Sequence, residues 1–169
     1  MPREYKLTPN MLDDITIRRA TLSDAHSVSI LVGELLHEIM TEIGIKVFNF
    51  NIYETVVRLE DFIESEKYFV FVAEIGDNNL IGFLSLYEGY ALYTEGAFGT
   101  IPELYVKPDY RSKKVGHDLL KHAKSFGNSR NLSRLEVTTP PLPEFDKTLS
   151  FYEREGFTIT GGRKLKAEL

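Results

Sequence analysis

Ahead of one helical run the chain carries Tyr110-Arg111-Ser112-Lys113-Lys114-Val115-Gly116-His117, with three cations inside four positions and a glycine near the helix start. A helix start presents backbone N–H groups that no carbonyl of the helix can reach, and the aligned peptide dipoles leave partial positive charge there. That end suits a phosphate. Gly116 has no side chain to hold an anion off the backbone, and Arg111, Lys113 and Lys114 add charge beside it. The chemistry read here is the binding of a phosphate or diphosphate. The bland alternative is a solvated basic turn.

The elements that must position this loop are read from hydrophobic period. Ile15 and Ile17 alternate with Thr16 and Arg18, as in a half-buried strand. Ser23 and Asp24 supply helix-start chemistry, followed by Ala25, Val28, Leu31, Leu35 and Ile39 at helical spacing. Ile52, Val56, Leu59 and Ile63 mark a second helix. The run Tyr68 to Ala73 is apolar throughout, which suits an interior strand. A turn at 76–79 and the segment Leu80 to Tyr87 make it a hairpin. Thr100 to Val106 reads as the next strand, ended by Pro108 and Asp109. Val115, Leu119, Ala123 and Phe126 then form the third helix, closing near Gly127-Asn128. Leu135 and Val137 belong to a short strand. A helix from Lys147 to Arg154 stops at Gly156, Phe157 to Ile159 begins a last strand, and the tail at 161–166 turns and returns.

The expected order is therefore β-α-α-β-β-β-α-β-α-β. It implies an α/β (α+β) fold with a mixed, mostly antiparallel central sheet and helices on both faces. Residues 1–13 lack periodicity and read as a loosely ordered arm, with 14–169 as a single domain. A length of 169 residues and a hydrophobic content of 43% suit one core. The net charge of −5 argues against nucleic acid and anionic membrane as partners. No cysteine is present, which excludes disulfides, thiolate metal sites and a cysteine nucleophile. The start has no apolar stretch suited to a signal peptide and no later run approaches a membrane span, so the expected location is cytoplasmic.

The stretch from Val106 to Leu120 resembles a known pattern, V-x-P-x-Y-R-x-x-x-[IV]-G-x-x-L-L, the acetyl-CoA-binding signature of the GNAT superfamily. In its short form, [QR]-x-x-G-x-[GA], Arg111 matches the first position and Gly116 the last, while Lys114 stands where the first glycine is usual. Downstream, Phe151-Tyr152-Glu153-Arg154-Glu155-Gly156-Phe157 resembles the family's F-Y-x-x-x-G-F. Phe145 stands where the family often has asparagine. Leu135-Glu136-Val137 is similar to the fifth strand and Ile15 to Thr21 to the first. Two motifs in the right order are far more specific than either alone, and the resemblance covers about residues 14–160.

What the resemblance implies is direct acetyl transfer from acetyl-CoA to a primary amine, without an acyl-enzyme. In such folds the fourth strand carries a β-bulge and splays from the fifth, and the pantetheine arm lies in the gap. The backbone of Leu104, Tyr105 and Val106 would hold it, and Ser112, Lys113, Lys114, Val115, Gly116 and His117 would cradle the diphosphate. The N–H of Val106 is a candidate for the oxyanion. Glu103, before that strand, holds the place of a base; its alternative is a solvated strand-edge charge. Glu88 and Glu95 are weaker candidates. Tyr152 has the general-acid position, and its alternative is a tyrosine packed on the core. Tyr87, Tyr90 and Tyr93 suit either an apolar acceptor wall or core packing.

His26, His37, His117 and His122 have no partner at metal-ligand spacing, so no metal is expected, although His117 could donate to a phosphate. The acceptor would be an amine-bearing small molecule or peptide. Oligomeric state is left open, a homodimer included. A competing reading is a catalytically weak acyl-CoA-binding or interaction module on the same fold, which Lys114 and Phe145 favour and Tyr152 and Glu103 oppose.

Overall fold

The computed structural model describes residues 14–169, and the arm expected over 1–13 lies outside them. Two compact units divide at Thr138 and Thr139. The first holds β1 (Ile15–Arg19), α1 (Ala25–Ile43), α2 (Ile52–Glu64), β2 (Phe69–Ile75), β3 (Asn79–Ala91), β4 (Gly96–Ile101), β5 (Leu104–Val106), α3 (Val115–Ser129) and β6 (Leu135–Val137). Its sheet runs β1-β2-β3-β4-β6, with β5 paired to β3. β4 and β6 are parallel, and the other pairs are antiparallel.

The apolar run of β2 explains why helices cover both faces. Successive side chains point to opposite sides of a strand. Val70 and Val72 therefore meet Ala25, Val28 and Leu31 of α1 and Leu59 of α2. Phe69 and Phe71 point the other way and meet Phe126 of α3, with ring centroids 4.7 and 5.6 Å apart. Burying an aromatic side chain of this size is worth about 1.5–3 kcal/mol. At the entry to α1, the Asp24 carboxylate accepts the Thr21 N–H at 2.8 Å and the Arg18 guanidinium at 2.8 and 2.9 Å. No described helix is long and apolar enough to cross a membrane.

Four expectations differ. β3 continues past Tyr87 to Ala91, because its second half gains β4 as a partner. The strand expected over Thr100 to Val106 is broken at Pro102-Glu103 into β4 and β5. Proline cannot donate to a ladder, so within a sheet it sits where pairing is interrupted. The strand expected at Phe157 to Ile159 is absent: no strand is formed by residues 157–159. Ile159 is exposed there, and too little apolar surface is buried to offset the ordering of a strand. Gly161 turns with φ +76°, yet no strand returns after it.

The second unit contains α4 (Asp146–Arg154). Its end explains the spacing of Tyr152, Gly156 and Phe157. Gly156 takes φ +91°, its N–H donates to the Glu153 carbonyl at 3.1 Å, and the Phe157 N–H donates to the Tyr152 carbonyl at 3.0 Å. This is a Schellman cap, whose usual apolar contact is here the edge-to-face pair of Tyr152 and Phe157 at 5.4 Å.

Candidate functional site

The break between β4 and β5 is a bulge. Tyr87 pairs with Thr100 and Leu84 with Leu104, so Ser85 and Leu86 face three residues, Ile101, Pro102 and Glu103. β6 follows β4 only as far as the pair Ile101 and Val137. Beyond that point β5 is paired with β3 on one edge. The Ser85 N–H donates to the Glu103 carbonyl at 2.9 Å and the Lys107 N–H to the Ile81 carbonyl at 2.8 Å. Peptide groups alternate sides along a strand, so Tyr105 turns its N–H and carbonyl to β3 while Leu104 and Val106 turn theirs away. The expected cofactor edge is thus narrowed to Leu104 and Val106. The Val106 carbonyl accepts Arg111 Nε at 2.8 Å, which leaves its N–H as the outward donor of interest. Gly82 permits this close pairing, since a Cβ there would stand 2.8 Å from the Tyr105 carbonyl oxygen.

The bulge also turns Glu103 onto β3. Its carboxylate Oε2 accepts hydrogen bonds from the hydroxyls of both Tyr68 and Ser85. The Glu103 N–H donates to Ser85 Oγ at 3.1 Å, and Ser85 is fully buried. Glu103 is therefore a half-buried carboxylate held by two hydroxyls, and the solvated strand-edge alternative does not describe it. Tyr68 is itself fixed between rings, Phe62 at 5.5 Å and Tyr87 stacked at 6.4 Å. Burial first, and then the Glu103 carboxylate, pushes the Tyr68 phenol far above its ordinary range. Neither Tyr68 nor Ser85 is signalled by local spacing to Glu103.

After β5 a short turn at 108–110 leads into the basic loop. Ser112 and Lys114 both take left-handed backbone, φ 59° and 66°. A left-handed position favours glycine, which gives a physical reason for the family's preference where Lys114 stands. The helical ladder of α3 begins with the Asp118 N–H donating to the Lys114 carbonyl at 2.9 Å. The amides of Val115, Gly116 and His117 precede it and lie outside the ladder. The Val115 side chain is buried, so only its backbone faces the loop side.

The cations are not equivalent. Arg111 forks onto Glu38 of α1 at 2.8 and 2.6 Å, and that carboxylate raises its pKa further. Its charge is already matched, contrary to its expected share in the loop's positive field. One turn earlier on α1 lies Glu34. Burial first, and then Glu34, pushes the Tyr105 phenol up to about 12. Lys113 donates to the Asp109 carbonyl at 2.7 Å, bracing the loop from within. Lys113 and Lys114 are exposed at the helix start.

In the second unit Tyr152 is only 5% exposed, packed between Phe151 at 5.3 Å and Phe157. Burial pushes its phenol well above the ordinary range. Phe151 is half-buried, so the more deeply buried ring of the pair is Tyr152. Phe145 is buried at the start of α4.

Glu88 pairs with Arg130 and accepts Tyr90 Oη at 3.2 Å, and Glu95 is exposed in left-handed backbone. Tyr90 and Tyr93 are 76% and 75% exposed, which overturns core packing for both. His122 Nδ1 lies 3.0 Å from the Asp118 carbonyl. Among the described residues no group of three or more His, Cys, Asp or Glu could hold a metal ion.

Residues 66–159 match the family model described as acetyltransferase (GNAT) domain, over half of the chain. A streptothricin acetyltransferase of Streptomyces lavendulae is 32% identical over 93 residues, which are 54% of this chain and 45% of that protein. The match thus spans under half the length of that relative. Two solved structures share the fold. One is a predicted acetyltransferase with acetyl-CoA from Clostridium acetobutylicum, TM-score 0.74 at 18% identity, covering 91% of this chain and 96% of that one. The other is an aminoglycoside acetyltransferase from an uncultured soil metagenomic sample, in complex with trehalose, TM-score 0.71 at 20% identity, covering 93% and 97%.

Proposed function

Because this chain belongs to the acetyltransferase (GNAT) domain family, we propose that it transfers the acetyl group of acetyl-CoA directly to a primary amine of a small molecule or peptide. One observation carries the reading: the bulge at Pro102-Glu103 gives a held carboxylate, an outward Val106 amide and an anion-suited helix start within residues 103–117. That donor set fits the cofactor. Backbone groups of Leu104 and Val106 suit an amide-bearing arm, while the amides from Ser112 to His117, with Lys113 and Lys114, suit a diphosphate.

Acetyl-CoA would supply a thioester, whose C–S bond breaks as the amine nitrogen bonds the acetyl carbon. Glu103 takes the proton that the nitrogen must lose, directly or through one water. An alkylamine of pKa about 10.4 is almost wholly protonated at neutral pH, so this removal is required. The Val106 N–H donates to the developing oxyanion. Tyr152 gives its proton to the departing thiolate, and burial keeps that proton on the phenol until then. The likeness to a streptothricin acetyltransferase and to an aminoglycoside acetyltransferase supports an amine-bearing small molecule as acceptor.

The direct test is release of free thiol from acetyl-CoA by the purified chain across a panel of primary amines. Turnover with any amine supports the transferase. Calorimetric CoA binding with no turnover on the whole panel would instead support a binding module. The diphosphate assignment is tested by Gly116→Val, which puts a branched side chain among the first amides of α3. CoA affinity measured by calorimetry should fall at least about tenfold, roughly 1.4 kcal/mol. Unchanged affinity in a folded variant would move the diphosphate elsewhere.

A further inference from the structure

Glu103 does not stand alone, and its partners come from two other segments. Tyr68 immediately precedes β2 and Ser85 lies in the middle of β3, so they are 35 and 18 residues away in the chain. Both hydroxyls converge on one oxygen, Oε2, which leaves Oε1 outside that pair of bonds. The proton count permits it. Ser85 Oγ accepts the Glu103 N–H at 3.1 Å, so its single hydroxyl proton is available for the carboxylate. Tyr68 Oη lies 3.1 Å from Ser85 Oγ and brings a second proton. Ser85 also donates its own N–H to the Glu103 carbonyl, so one residue grips both the backbone and the side chain of Glu103 across the bulge.

We propose that Tyr68 and Ser85 are positioning residues that fix the Glu103 carboxylate and aim Oε1 at the acceptor amine. This deepens the reading of Glu103 as the base and rests on it. Two donors on one oxygen fix the orientation of the carboxylate and leave the other oxygen outside their bonds. The arrangement is rigid. The Tyr68 ring lies between Phe62 and Tyr87, and Ser85 is fully buried, so little rotamer freedom remains to be lost when substrate binds. The titratable groups that these contacts bring to Glu103 are the Tyr68 phenol directly and the Tyr87 phenol through its stack on Tyr68. The Tyr68 phenol is held protonated far beyond neutrality, so it stays a donor wherever the enzyme works.

The test uses Tyr68→Phe and Ser85→Ala in the full chain, each alone and combined with Glu103→Gln, with kcat for an accepted amine at saturating acetyl-CoA as readout. Positioning acts only through the carboxylate, so each hydroxyl variant should lower kcat about tenfold in the parent background and leave it unchanged in the Glu103→Gln background. Loss of packing alone would lower the rate equally in both backgrounds. Tyr68→Phe keeps the ring stack and suffices should Ser85→Ala fail to fold. Equal effects in the two backgrounds would overturn the positioning role and leave the base in place. If Glu103→Gln itself stays within about threefold of the parent rate, both fall.

Discussion

Glu103→Gln is expected to lower kcat/KM for a primary amine by about 10²–10⁴-fold, the usual worth of a positioned general base. The substitution separates proton acceptance from packing. A glutamine side chain has nearly the same volume, and its carbonyl oxygen can stand where Oε2 accepts Tyr68 and Ser85. The bulge and its backbone bonds to Ser85 do not involve the carboxylate and should persist. What disappears is an oxygen able to take a proton. Without a base the amine must arrive already neutral, so the residual rate of the variant should climb toward the amine's own pKa of about 10.4. Steady-state thiol release over roughly pH 5–9 reads both effects at once. An unaltered profile in a folded variant would reduce Glu103 to a structural carboxylate at a strand break.

Much of this site was legible because its residues are consecutive. The strand, the proline, the basic loop and Gly116 follow one another in 104–117, and local spacing carried them. The helical and strand periods likewise reflect single elements whose buried faces repeat at fixed intervals. Long-range pairing was not legible. Tyr68 and Ser85 meet Glu103 only through sheet register, and nothing local to either residue marks it. The bulge did leave a trace. Pro102 interrupts an otherwise continuous strand pattern, and a proline inside such a run signals an edge or a bulge. The pairing of Arg111 with Glu38 joins residues 73 apart, so charge composition overstated the cations that face the loop. Conversely, Lys114 looked anomalous as sequence and has a simple backbone explanation. It takes the left-handed conformation that glycine would take more cheaply.

Tyr152→Phe is expected to lower kcat by about 10²–10⁴-fold at saturating acetyl-CoA, with little change in melting temperature. The fold gives the reason for both halves. The ring closes the Schellman cap of α4 against Phe157 and touches Phe151, and phenylalanine keeps all of that surface. Only the hydroxyl is lost, so a fall in rate cannot be ascribed to a loosened helix end. Burial has a further consequence for pH. It raises the phenol's pKa, so the acid form survives as pH increases and is lost only above the ordinary value of about 10. Tyr152 should therefore contribute no decline in rate between neutrality and pH of about 9. CoA affinity by calorimetry should hardly change, because loss of a uniform binding contact would raise KM at constant kcat instead. The decisive comparison is kcat for the variant and the parent with one good amine, alongside their melting curves. A folded variant within about threefold of the parent rate would leave Tyr152 as a helix-end packing residue and assign the thiolate's proton to water.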